Sequence, residues 1–258
     1  MKLDRLSKSL GKVWRVLFSP RHFSALIRHK VLAGTEHRYV LSGPLNTIVD
    51  IGSNRGQFAL TAREQLPDAT IISFEPLSGP AEIYRSVFAG DRRAILHQVA
   101  IGPCVEYKRM HISARDDSSS LLEISEIQRE NFPGTGEVGT TEVLVSPLDR
   151  FISPEILVRP SLLKLDVQGY EFEALLGCES LLNCFDRIYC ECSFVELYSG
   201  QKMASDIIAW LSSRGFELIG LYNLVYDDRG RTLQADCLFS FRIPSSRSAV
   251  DLSTPCPS

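Results

Sequence analysis

Three acidic side chains, each closing a short apolar run, and one glycine-punctuated turn carry the chemistry this sequence can support. The run Thr47-Ile48-Val49-Asp50-Ile51 breaks into Gly52-Ser53-Asn54-Arg55-Gly56. In such a strand-to-helix turn, Gly52 and Gly56 let the backbone approach a ligand, and the following helix offers unsatisfied N–H groups and the positive end of its dipole. The spacing D-x-G-x-x-x-G differs from the G-x-G-x-x-G turn that grips a dinucleotide pyrophosphate. Asp50 aimed into the turn repels a pyrophosphate and suits an ammonium or sulfonium centre. That points to an S-adenosylmethionine pocket, with an ordinary βα loop as the plain alternative. The next strand, residues 70–74, ends in Glu75-Pro76, where a βαβ unit presents a carboxylate to both hydroxyls of a ribose, and Pro76 keeps Glu75 extended.

A third tip lies in Ser161-Leu162-Leu163-Lys164-Leu165-Asp166-Val167-Gln168-Gly169-Tyr170-Glu171. Asp166 ends that strand and, in an open α/β sheet, faces the same crevice as Asp50 and Gly52; capping of the following helix is its structural alternative. Asp166 is expected to accept a proton or help hold a divalent ion, with Glu191, near the end of the strand at 187–192, as its partner. Metal dependence stays open, because no compact ligand motif is present and oxygen sites assemble from distant loops. The cofactor-binding candidates are Asp50, Gly52, Asn54, Gly56, Glu75, Pro76, Ala100 and Ser119. Ala100 follows the third strand at the end where adenine rings often meet backbone, and Ser119 reads equally well as a turn residue.

Positioning these tips requires an α/β domain with a mostly parallel sheet over residues 41–243. Residues 102–150 break the βα rhythm with alternating strands and polar loops, an expected hairpin-rich insertion at the ligand end. Residues 216–221 and 235–241 flank a tight turn and pair antiparallel. Residues 1–40 form a basic helical arm: Leu3, Leu6, Leu10, Val13, Trp14 and Leu17 recur at helical spacing, and Ser19-Pro20 opens a second helix that stops at Gly34. The arm lies on an anionic membrane surface, covers the site, or packs on its own domain or on a second subunit of a homodimer, the packing option being the preferred one. The Ser- and Pro-rich tail, 244–258, is expected to be disordered.

Composition narrows the function classes. A net charge of −3 and a pI near 6.0 argue against an obligate nucleic-acid binder, which needs a basic surface. The charge is uneven: residues 1–38 hold nine cations against two acids, +7, so the remainder carries −10. Seven cysteines, odd in number and without a C-x-x-C pair, favour reduced thiols. The absence of a leader-like start or an apolar run of bilayer length favours a cytoplasmic protein, peripheral to the membrane if the arm binds lipid.

With DIGSNRG, ISFEP, KLDVQGYE and ECSFVELY in this order, the chain resembles the FkbM family of S-adenosylmethionine-dependent methyltransferases over residues 47–242. The resemblance implies a Rossmann-like class I sheet of seven strands with an antiparallel last strand, and methyl transfer to an oxygen of a sugar, glycolipid or polyketide-type small molecule. It places Asp50, Gly52 and Gly56 at the methionine end, Glu75 at the ribose and Ala100 beside the adenine. Many relatives carry Glu where this chain has Gln168, and a neutral amide cannot act as a base, which leaves Asp166. Competing readings are a non-catalytic nucleotide-binding scaffold and an NAD-dependent oxidoreductase, the latter disfavoured by Asp50 and the glycine spacing.

Overall fold

The computed structural model describes residues 19–242; the first helix of the arm, residues 1–18, and the tail from residue 243 lie outside them. Five short apolar runs form parallel strands: β1 (Thr47–Ile51), β2 (Thr70–Phe74), β3 (Ala94–His97), β7 (Ser161–Leu165) and β8 (Arg187–Ser193). With β9 (Phe216–Tyr226) and β10 (Thr232–Phe241) they make a seven-stranded sheet in the order β3-β2-β1-β7-β8-β10-β9. The strand last in the chain, β10, is antiparallel to both neighbours and lies between β8 and β9 rather than at the edge. The central strands are buried on both faces, as parallel sheets are.

On one face, Val49, Ile51, Ile72, Phe74, Leu163 and Leu165 pack under α5 (Glu171–Gly177) and α6 (Ala204–Ser213). On the other, Ile48, Ile71 and Leu162 meet α2 (Gln57–Gln65) and α3 (Ser78–Val87). That second face also carries the N-terminal segment. Helix α1 (Pro20–His29) starts as expected, with Ser19 Oγ accepting from His22 N at 3.3 Å. It ends short of Gly34, because Lys30 turns left-handed at φ 56° and closes the helix with its own N–H. His22 Nε2 lies 3.2 Å from the Leu60 carbonyl, and Val31 and Ala33 are buried in the same core.

The insertion is a separate three-stranded sheet of β4 (Ala100–Ile101), β6 (Glu137–Ser146) and β5 (Glu106–Ser113), with α4 (Glu126–Asn131) between β5 and β6. Met110, Leu121, Val143 and Val145 pack with Tyr170, which fixes this sheet over the carboxyl end of β7. Cys190 and Cys192 are fully buried core thiols.

Gly56 has a different task from the one its spacing suggests. At φ +91°, a Cβ there would sit 2.7 Å from Phe88 Cε2 and 3.0 Å from Tyr84 Cδ2. The glycine lets α2 start against α3 and is not among the residues that line the cavity at the strand ends. Gly56→Ala should therefore lower the unfolding free energy by about 1–3 kcal/mol in urea titrations, as overpacking does. Unchanged stability would show that this close approach is not a constraint.

Candidate functional site

The carboxyl ends of β1, β2 and β7 meet where the strand order reverses, the place where open α/β sheets bind ligands. A cavity of about 570 Å³ opens there, within the range of small-molecule sites. Its floor is Gly52, Ser53 and Asn54; one wall is Glu75, Pro76 and Ala100; another is Asp166, Gln168 and Tyr170. The insertion adds Met110, Arg115 and Ser119, and the segment from Lys30 to His37 closes a further side.

Each expected residue can now be located. Glu75 is buried in the wall, its Oε2 accepting from Asn54 N at 2.9 Å and its Oε1 from Leu77 N at 2.8 Å. Two backbone amides thus fix the plane of the carboxylate. Gly52, Asn54, Pro76, Ala100 and Ser119 all line the cavity. Ser119 Oγ also accepts from Ser113 N at 3.1 Å, so it braces its own loop. Glu191 is not on the cavity wall; it reaches the site through Gln168.

Asp50 is a correction. Its side chain does not enter the turn: it is fully buried beneath the cavity floor, on the face covered by α2. In the β1–β7 register Asp50 stands opposite Lys164, and Lys164 Nζ lies 3.1 Å from Asp50 Oδ1. The same ammonium donates to the Gly52 carbonyl at 3.1 Å and lies 3.7 Å from Asp166 Oδ2. Burial works against the Lys164 charge, but Asp50 and then Asp166 overcome it and hold the ammonium's pKa above its ordinary value. Burial pushes the Asp50 carboxyl upward, and the adjacent ammonium opposes it. Lys164 was missed in the sequence, although a lone cation inside an apolar strand signals a buried partner.

Asp166 is a third exposed at the end of β7. Its Oδ1 accepts from Gln168 Nε2 at 2.8 Å; the same amide donates to Glu191 Oε2 at 3.2 Å, and Gln168 Oε1 accepts from the Tyr198 hydroxyl at 2.7 Å. Gln234 Nε2 adds a second donor to Glu191 at 3.1 Å. Burial first, then Asp166 and Asp236, drives the Glu191 pKa well above its ordinary value. Glu171 is buried and ties down the turn after Asp166, its Oε1 accepting from Val167 N at 3.0 Å and Gly169 N at 3.1 Å. Gly52 closes the floor: a Cβ there would lie 1.9 Å from the Asp166 carbonyl oxygen, so the β1 and β7 loops touch at a distance that only glycine permits.

The chain matches the model of the methyltransferase FkbM domain over residues 50–218. It belongs to the FkbM methyltransferase family. It is 31% identical over 216 residues to the 2-O-methyltransferase NoeI of Sinorhizobium fredii, covering 78% of this chain and 86% of that protein. Solved structures of similar fold include the magnesium protoporphyrin IX methyltransferase of Synechocystis with bound SAM (11% identity, 80% of each chain, TM-score 0.43). The ribosomal protein L11 methylase of Lactobacillus delbrueckii is another (10%, 81% and 75%, TM-score 0.42). This FkbM chain is an S-adenosylmethionine-dependent O-methyltransferase, which sets aside the oxidoreductase and scaffold readings. The cavity suits that cofactor: besides the fixed Glu75 carboxylate, Ser53 Oγ and Gln57 Oε1 are buried in its wall without a hydrogen-bond partner among the described residues. Among those residues, no three His, Cys, Asp or Glu side chains are grouped to hold a metal ion, and no helix is long and apolar enough to cross a membrane.

Two measurements test these electrostatics. Lys164→Met strips the buried Asp50 of its cation and should cost about 3–5 kcal/mol of stability in urea unfolding, with Asp50→Asn in the same chain recovering much of it. Glu171 is pushed by burial from 4.5 up to about 7. A carboxyl whose folded pKa lies above its unfolded one contributes its full stability below the unfolded value and loses it as pH rises through the folded one. Stability should therefore fall between about pH 4.5 and 7 from this group, and Glu171→Gln should flatten that part of the pH profile.

Proposed function

We propose that this FkbM methyltransferase methylates a hydroxyl of a sugar-bearing acceptor, a glycan or glycolipid, with Asp166 as the proton acceptor. The observation that carries this reading is the placement of Asp166 at the lip of the cavity, oriented from two sides. Gln168 Nε2 donates to Oδ1, and the Lys164 ammonium lies 3.7 Å from Oδ2. The oxygen acceptor agrees with the 31% identity to NoeI, a 2-O-methyltransferase.

Bound S-adenosylmethionine supplies a sulfonium-activated methyl group. The remaining work falls to the protein. Glu75, pinned by Asn54 N and Leu77 N, is the group suited to the ribose hydroxyls, with Ser53 and Gln57 offering further polar contacts. Gly52 brings the floor of the β1 turn against the β7 loop, so the cofactor end and Asp166 share one space. Alignment of the acceptor hydroxyl and exclusion of water provide most of the rate. An aliphatic hydroxyl is a weak acid, so a positioned base adds a further factor of about 10²–10⁴.

Asp166→Asn keeps the shape and removes the base. It should leave S-adenosylhomocysteine affinity, read by calorimetry, within about threefold, under 1 kcal/mol. S-adenosylhomocysteine release with a panel of methyl glycosides and oligosaccharides should fall by about 10²-fold or more. Full turnover by the variant would reassign the base, and turnover of the wild-type chain restricted to sugar-free phenols would overturn the acceptor class.

A further inference from the structure

We infer that the outer face of α1 is a docking surface for an anionic bilayer, placing the cavity wall formed by the segment that follows it beside the lipid headgroups. The inference rests on the glycolipid form of the acceptor reading.

Helix α1 uses two faces. His22 and Ala25 are buried against the domain, while Phe23 and Ile27, one turn apart, point outward at 44% and 65% exposure. Leu32, just beyond the helix, is also exposed. Around these apolar side chains stand Arg21, Arg28 and Lys30, all exposed, and α1 has no acid in its first turn. Arg21 shares a surface depression with Arg92, in the turn beyond α3, and with Asp91, which is itself paired with Arg63. None of these four cations has an acidic partner among the described residues, whereas Arg63 and Arg93 nearby are paired with Asp91 and Asp68. The rest of the chain is acidic, so this cluster is a local choice and not a reflection of overall charge.

The chemistry of the patch favours lipid over protein. Three apolar side chains fall far short of the 1,200 Å² or so that a stable protein interface buries. They are enough for a bilayer surface, where a few inserted side chains add to attraction between Lys or Arg and anionic headgroups. The sequence directly upstream, outside the described residues, continues the mixture with five cations against one acid between residues 1 and 18. Downstream, Lys30 to His37 line the cavity, and Gly34 N donates to the Gln57 carbonyl at 2.9 Å. A bilayer lying on α1 thus adjoins the space in which the acceptor is methylated.

The test uses the full chain with vesicles of phosphatidylcholine containing about one-third phosphatidylglycerol, at about 0.1 M salt, where charge is felt over about 10 Å. The protein should co-sediment with these vesicles and not with pure phosphatidylcholine. Each cation near such a surface is worth about fivefold in partitioning, so Arg21→Glu with Arg28→Glu should weaken binding by about 25-fold or more. Phe23→Ser with Ile27→Ser should weaken it by about tenfold through lost apolar insertion. Both double variants should keep wild-type affinity for S-adenosylhomocysteine, which shows that they fold. No wild-type binding, or equal binding by both double variants, overturns the inference, the second result assigning attachment to residues 1–18 alone. Self-association in sedimentation velocity that these variants abolish, without vesicle binding, overturns it in favour of a dimer face. Absence of S-adenosylhomocysteine binding by the wild type would instead strike the methyltransferase assignment and leave the vesicle result standing.

Discussion

A buried ion pair between two neighbouring strands sets the geometry of the site. Asp50 and Lys164 face each other in the register of β1 and β7, both buried in the core. Such charges survive in a core only when each offsets the other's desolvation. Lys164 does more than neutralise Asp50, because its ammonium also donates to the Gly52 carbonyl and approaches Asp166. One cation therefore links the end of β1, the first residue of the glycine turn and the carboxylate at the tip of β7. The contact of Gly52 with the Asp166 backbone is the steric counterpart of that electrostatic tie. Relative movement of the two strand ends would break both at once.

Around this centre, several carboxylates at the strand ends are held by backbone amides or by other side chains. Glu75 is fixed by Asn54 N and Leu77 N, and the turn after Asp166 is fixed by Glu171. The N-terminal segment is bound in by His37: its Nδ1 lies 3.0 Å from the Tyr189 hydroxyl, which donates to Asp236 Oδ2 at 2.7 Å. Pre-positioned groups of this kind suit methyl transfer, in which the donor is already activated and the protein's contribution is alignment.

Strands β1, β2 and β7 were legible because each is a short, largely apolar run closed by a glycine or an acid. The order of motifs also carried the family. The direction of Asp50 was not legible. In a strand buried on both faces there is no alternation of apolar and polar residues from which to read the outward side, so an acid near the tip and an acid beneath the floor look alike. Lys164 was visible as an anomaly in SLLKL, but its partner depends on strand order and register, which only the sheet reveals. Gly56 misled for a related reason: a positive φ is required equally by a close ligand and by a close helix. Residues 30–37 contribute a wall of the cavity from a short irregular stretch running into a 3-10 turn at Thr35–Tyr39, too brief for a periodicity to be read.

Gln168 shows how one neutral side chain governs this acidic neighbourhood. Asp166, Glu171 and Glu191 crowd one end of the sheet, and Glu191 is already raised by burial and by its acidic neighbours. A glutamate at position 168 would bring a fourth carboxylate among them and would leave Asp166 and Glu191 without their shared donor. The amide instead donates to both carboxylates and accepts from Tyr198, so all three of its contacts have the correct polarity. Its backbone at φ 55° is secured by the Ser120 hydroxyl, which donates to the Gln168 carbonyl at 2.6 Å. A serine from the insertion thereby fixes the residue that orients Asp166. This is a physical link between the sheet over the cavity and the strand end beneath it: a change in the insertion that displaced Ser120 would move Gln168 and, through it, the Asp166 carboxylate at the tip of β7.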